Sequence, residues 1–216
     1  NQKFLVMNNF IKKNKIVGRT VLVMVIFGVI FSTILQFVYN EANPIILISE
    51  AKAKERLLLQ VVSKNLYNND LINSYIKIQP NERLKNKDTI KGYIAMKENI
   101  VTAVILETRA PNGYSGEIKI LVGISSDGNI LGTRVIKHQE TPGLGDYIDI
   151  NKSDWINIFT FSSLKNTSQL EWAVKKDQGK FDYISGATIT ARAVIVAINE
   201  ALIFFKENKL KMGINV

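Results

Sequence analysis

The stretch 117-EIKILVGISSDGNILGTRVIKH-138 alternates on both sides of a turn. Ile118, Ile120, Val122 and Ile124 fall at every second position, Asp127-Gly128 interrupts them, and Ile130–Ile136 returns. A period of two puts one set of side chains on one face, so two such runs joined by Asp-Gly predict a β-hairpin. Toward the N-terminus, further strands are expected at Tyr75–Ile78, Ile90–Met96 and Ile100–Thr108, with the polar run 80-PNERLKNKD-88 as a loop. Before them, Ile48 to Tyr67 is rich in Ala, Lys, Glu and Leu and reads as a helix. Toward the C-terminus, 152-KSDWINIF-159 predicts a short helix capped by Ser153 or Asp154, and a last helix runs from Thr190 to about Lys206. The whole is α+β with an antiparallel sheet.

From Thr20 to Asn40 the chain carries no ionisable acid or base. About 20 such residues make a helix as long as the hydrocarbon core of a bilayer is thick. Ser32, Thr33 and Gln36 soften it but can hydrogen-bond within a helix. A cleaved signal peptide has an apolar core of about 7–15 residues followed by a small-residue site, and neither is met, so an uncleaved anchor is expected. Lys3, Lys12, Lys13, Lys15 and Arg19 all precede it, which places residues 1–19 in the cytoplasm and those beyond 41 outside it. Pro44 is expected to break the chain after the anchor. The organisation read from this is a basic N-terminus (1–19), an anchor (20–40), a helical connector (41–72) and one extracytoplasmic domain (73–210).

The formal charge of +9 owes +5 to that basic N-terminus; the rest holds 23 basic against 19 acidic residues. No basic stripe interleaved with aromatics stands out, so nucleic acid is not an expected partner. There is no cysteine and a single histidine, His138. Thiolate iron–sulfur clusters, cysteine-bound zinc, a CxxCH haem attachment and disulfide exchange are excluded within this chain. Any redox role needs an organic cofactor.

Three loops carry unusual chemistry. The first, 111-PNGYSG-116, reads as an inter-strand turn. In the second, 138-HQETPGLGD-146, Pro142, Gly143 and Gly145 make a tight loop that exposes its backbone, with His138, Glu140 and Thr141 at its rim. That loop reads equally as a ligand-contacting turn or as a turn closed by a satisfied histidine. The third, 182-DYISGATITARAV-194, opens the last helix through Ser185, Gly186 and Ala187. Thr190 is the expected helix cap. Thr188 is left over. A helix start gathers unpaired N–H groups and a partial positive charge, which suits a phosphate. The open alternatives are covalent attachment of such a group, reversible binding of an anion, or a structural role alone.

The ordered set PNGYSG, LVGI, GTRVIKHQETPGLGD, DW, WAVKK and FDYISGATIT resembles the G subunit of the Rnf/Rsx ion-translocating electron transport complex, from about Val104 to Ala201. The C subunit of the sodium-translocating NADH:quinone reductase is a more distant relative. The resemblance implies an FMN-binding domain in which a flavin transferase esterifies FMN, through its phosphate, to the last threonine of D-x-x-[ST]-G-A-[ST]. Here that pattern runs from Asp182 to Thr188. It implies Ser185, Gly186, Ala187 and Thr190 around the phosphate, and Glu140, Thr141, Pro142, Gly143, Leu144 and Gly145 beside the isoalloxazine, with Leu144 as the apolar contact. It further implies a flavoprotein that relays electrons in a bacterial inner (cytoplasmic) membrane complex, with other membrane and redox subunits, the flavin transferase and the lipid bilayer as partners. A non-flavinylated assembly subunit is the alternative. Trp155 and Trp172 are read as packing residues.

Overall fold

A computed structural model describes residues 2–214, with side chains from Val17 onward. The basic residues Lys3, Lys12, Lys13 and Lys15, on which the cytoplasmic assignment rests, lie outside the described side chains. Contacts divide the chain into two units, Asn1–Lys52 and Ala53–Val216.

The described residues of the first unit are helical and belong to α1, Gln2–Val61. Its apolar side chains face outward, with Leu22, Phe27, Phe31 and Leu35 all exposed. From Val17 to Val61 the helix is long and apolar enough to cross a membrane. Two of the polar side chains inside it are satisfied as expected: the Thr33 hydroxyl donates to the Val29 carbonyl at 2.8 Å, and Gln36 Nε2 to Asn40 Oδ1 at 2.9 Å. Pro44 does not break the chain. It lies within α1, because proline removes one N–H and one helical bond while the turns on either side keep theirs.

In the second unit five strands form one antiparallel meander, in the order β1 (Tyr75–Ile78), β2 (Ile90–Lys97), β3 (Ile100–Ala110), β4 (Ile118–Ser125) and β5 (Ile130–Lys137). The hairpin read from the alternation is β4–β5, with Val122 opposite Thr133 and Ile124 opposite Ile130. Both faces of the sheet are covered, which is why the middle strands read as nearly unbroken apolar runs. Tyr93, Ala95, Ala103, Ile105 and Leu121 pack with Leu58, Val61, Val62, Tyr67 and Leu71 from the end of α1 and the turns after it. On this face Glu107 is buried and paired with Lys54.

The opposite face carries Ile94, Val104, Leu106, Ile120, Val122 and Ile124, and the second helix, α2 (Thr188–Asn208), packs against it. Val194, Ile195, Ile198, Leu202 and Phe205 form its inward stripe and are almost fully buried. At roughly 1.5–3 kcal/mol per buried large apolar side chain, this stripe is the main reason the helix stays on the sheet. Between β5 and α2 the chain makes short 3-10 turns, among them Asp154–Phe159, where the Ser153 hydroxyl accepts the Trp155 N–H at 3.0 Å as expected of a cap. Trp155 and Trp172 are buried in this core, in line with their reading as packing residues.

Candidate functional site

The three loops singled out in the sequence converge at the N-terminal end of α2. The first, between β3 and β4, sends the Ser115 N–H to Glu140 Oε1 at 3.0 Å. The second follows β5: Glu140 is 4% exposed and stands at the centre of the site. Its Oε2 accepts the Thr190 hydroxyl from α2 at 2.5 Å. One carboxylate thus ties together two loops and a helix. A buried carboxylate without such donors would be strongly destabilising; here two donors from separate elements meet it.

The 138–146 loop is closed by its own backbone. Leu144 and Gly145 N–H both donate to the Thr141 carbonyl, at 3.1 and 2.9 Å, and Gly143 N–H donates to Asp146 Oδ1 at 2.8 Å. Thr141, Pro142, Gly143 and Leu144 form the exposed rim, while Glu140 and Gly145 form the buried base. Gly145 has to be glycine: a Cβ there would stand 2.9 Å from Glu140 Oε2 and 3.0 Å from its Cβ. His138 Nδ1 accepts the Glu140 N–H at 3.2 Å, so it is the satisfied histidine that closes the loop.

The third loop is a tight turn, with the Ala187 N–H on the Ile184 carbonyl at 3.0 Å and Gly186 at φ +91°. That positive φ at the third turn position is where glycine is favoured. A Cβ on Gly186 would meet Leu144 Cδ1 at 3.3 Å, so this turn and the rim of the second loop are neighbours. The turn is held from below. Trp155 Nε1 donates to the Asp182 carbonyl at 2.8 Å, and the Tyr147 hydroxyl reaches the Ala187 carbonyl at 3.4 Å. The two rings meet edge to face at 5.0 Å. Burial pushes the Tyr147 phenol up to about 12, with the charge of Glu140 adding to the shift, so it remains a neutral donor. Sequence reasoning missed Tyr147; nothing local marks it, since the carbonyl its hydroxyl reaches lies 40 residues away.

The cap expected at Thr190 is corrected by the structure. Helix α2 begins two residues earlier, at Thr188, and Ala187 occupies the cap position with no side-chain oxygen to offer. Thr190 sits inside the first turn, 1% exposed, and its hydroxyl goes to Glu140. A tertiary partner has taken the group that local propensity assigned to the helix end. Thr188 is only half-buried, and Ser185 and Gly186 beside it are exposed. The first N–H groups of α2 therefore have no side-chain cap.

One residue beyond Thr188 a groove of about 330 Å3 opens between α2 and the first loop, walled by Ile189, Ala193, Val196 and Pro111. Arg83, Lys85, Arg109 and Arg192 line it, with Glu200 as its acid. Arg109 Nε is buried there without a partner. Among the described residues no cluster of three His, Cys, Asp or Glu could hold a metal ion.

Against known proteins, an FMN-binding domain family model matches residues 113–203, a span that takes in the second and third loops, the first loop from Gly113 onward and most of α2. The G subunit of the ion-translocating oxidoreductase complex of Shewanella piezotolerans is 40% identical over 73% of this chain and 74% of its own. The like-named subunit of Shewanella oneidensis is 34% identical over 95% of this chain and 94% of its own. The chain belongs to the family of G subunits of ion-translocating oxidoreductase complexes. Within that family the Aliivibrio fischeri subunit is 37% identical over 87% of this chain and 90% of its own. Among solved structures, NqrC of Shewanella oneidensis is similar over 73% of this chain and 76% of that one, at 20% identity and a TM-score of 0.47. In this family member, then, the loops described above fall within an FMN-binding domain, and the outward-facing helical segment is the part suited to a membrane.

Proposed function

We propose that this subunit carries FMN covalently, as a phosphoester on the Thr188 hydroxyl, and relays electrons within its ion-translocating complex. The observation that carries the proposal is the contrast on the first turn of α2. Thr190 is sealed against Glu140, whereas Thr188 is reachable beside an uncapped helix start. A flavin transferase needs a hydroxyl it can approach, and a phosphate needs donors; both are found at Thr188. The local features fit the cofactor. Gly186 and Ser185 leave room against the turn, Gly145 and Leu144 line one side, and the groove with the orphaned Arg109 Nε lies on the other.

In this reading Ser185, Gly186 and Ala187 lie beside the phosphate, and Thr190 supports the turn from its buried side through Glu140. Glu140, Thr141, Pro142, Gly143, Leu144 and Gly145 form the wall beside the ring system. Glu140 acts by holding the loops in register. FMN supplies exchange of one or two electrons when bound. The protein's share is to keep it in place, exclude water on the loop side and set the surrounding charge. Covalent attachment suits a site outside the cytoplasm, where free FMN is scarce and a reversible site would empty.

The basic residues ahead of the apolar helix support a reading with the N-terminus in the cytoplasm of a bacterial cell and the domain from about residue 73 to 210 on the far side of the inner membrane, with 41–72 as connector. The second helix apolar enough to cross a membrane is α2, which is a core helix. The one crossing expected among the described residues offers no ion path, so in this reading ion movement falls to partner membrane subunits. The test is the intact mass of the denatured protein, made with an active flavin transferase, beside Thr188→Val. A gain of one FMN less one water, absent from the variant, is expected. An unmodified mass, with the transferase working on a control, would make this an assembly subunit instead.

A further inference from the structure

At the other end of α2 lies a second groove, of about 420 Å3, with a floor of Leu164, Leu202 and Phe205 and a rim of Lys165, Lys206 and Lys209. We infer that it docks an acidic polypeptide segment with an apolar side chain, belonging to another subunit of the complex.

Charge and shape carry the inference. Among the described residues no carboxylate pairs with Lys165, Lys206 or Lys209. The acid on the rim, Asp127, is engaged by its own turn: it accepts from Ser125 and from Asn129 Nδ2, and these bonds hold its carboxyl below the usual range. Asp127 stays ionised and offsets part of this charge, so the rim sets three lysines against one carboxylate and an excess of positive charge on the lysines faces an apolar hollow. An acidic segment would neutralise them while its apolar side chain covers the floor.

The flanking loop adds a second sign. Phe161 is 74% exposed and held at φ +66°, a conformation that glycine adopts more readily. Its backbone is pinned beside the groove's β-turn, with its N–H on the Ile130 carbonyl at 2.8 Å and the Ile130 N–H on the Ser162 carbonyl at 2.9 Å. A strained backbone that presents an aromatic ring to solvent contributes nothing to the core, and an exposed aromatic ring of this kind suits an interface anchor. Leu170, 87% exposed, follows on the same connection to α2.

A second copy of this chain, which beyond its basic N-terminus still holds 23 basic against 19 acidic residues, is a poor occupant. A lipid surface would favour a broad basic face over lysines set around a hollow. Thr188 and Phe205 are separated by 17 helical steps, about 25 Å along α2. A partner seated at this groove leaves the Thr188 end free for the transferase and for redox partners.

The inference rests on membership in the family of G subunits and stands whether or not Thr188 carries a flavin. It is tested in the whole complex with a photo-crosslinking amino acid in place of Phe161. The expected label falls on a peptide of another subunit that carries Asp or Glu beside an apolar residue. Charge reversal at Lys165→Glu, Lys206→Glu and Lys209→Glu is expected to reduce that label at least tenfold while the domain's melting temperature holds. The neutral pair Lys206→Gln and Lys209→Gln should give an intermediate loss with even less risk to folding. Label confined to lipid or to a second copy of this chain would overturn the inference. So would undiminished labelling of the partner in the charge-reversed variant, or no label at all.

Discussion

The inner and outer sides of the first turn of α2 are built on opposite principles. On the inner side Thr190 is buried and spends its proton on Glu140, which also holds the Ser115 N–H. On the outer side Thr188 is half-exposed, the cap position holds an alanine, and a glycine turn precedes it. Two threonines separated by one residue thus sit in different chemical settings. The difference teaches that a hydroxyl's availability is decided by what packs on it, not by its place in a motif. A closed polar network gives rigidity; the open side is left for chemistry.

The largest effect that would break this comparison concerns attachment. With the transferase present, Thr188→Val is expected to lose the FMN mass entirely, while Thr190→Val keeps it. The reverse result, flavin retained in the first and lost in the second, would mean that the buried side is the reactive one. Circular dichroism of both variants checks that the fold is unchanged.

The inner side should show itself in stability. Glu140→Ala strips the buried Thr190 hydroxyl and the part-buried Ser115 N–H of their acceptor, each worth about 1–3 kcal/mol when left unpaired, so a loss of roughly 3 kcal/mol is expected. For a domain of this size that is about 6–12 °C in Tm. Thr190→Val removes one donor to the carboxylate and replaces it with a methyl of similar volume, for a loss of about 1.5–2 kcal/mol. Thermal melts of the two single variants and the double variant would show a coupling of about 1 kcal/mol or more if the hydroxyl and the carboxylate act as a unit. Additive losses would show that the inner side is not a network.

How much of this was legible in the sequence depends on the range of the interaction. The β4–β5 hairpin and the strands before it follow from a period of two and an Asp-Gly turn, both local signals, and each strand lies within two residues of its expected end. Ser153 was legible as a cap for the same reason. Thr190 was misread because the competitor for its hydroxyl, Glu140, lies 50 residues upstream, and no local rule weighs a distant carboxylate against a helix cap. Tyr147, Trp155 and the paired Glu107 acquire their roles only once the sheet is assembled. Pro44 shows the opposite error: a strong local breaker was given more weight than one lost hydrogen bond deserves in a long helix.

The smallest expected effect tests whether the outer side is braced at all. Arg192, one turn beyond Thr188, holds Asp177 through two bonds of 2.6 and 2.7 Å and so ties α2 to the segment before the turn. The guanidinium hydrogen bonds hold the Asp177 carboxyl below its usual range. A carboxyl depressed in the folded state adds stability above its unfolded pKa, and that stability is lost as pH falls through the lowered folded value. Arg192→Ala should therefore lower Tm slightly near neutral pH, and the gap to the unaltered protein should close as the pH is brought below the ordinary carboxylate range. Both side chains are partly exposed, with 44% and 38% of their surface accessible, so added salt should narrow the gap as well. A gap that persists in acid and in high salt would mean that Arg192 acts by packing along the groove beside Thr188 rather than by its charge. In that case the outer side would be braced by apolar contact, and the contrast between the two sides of the turn would be one of exposure alone.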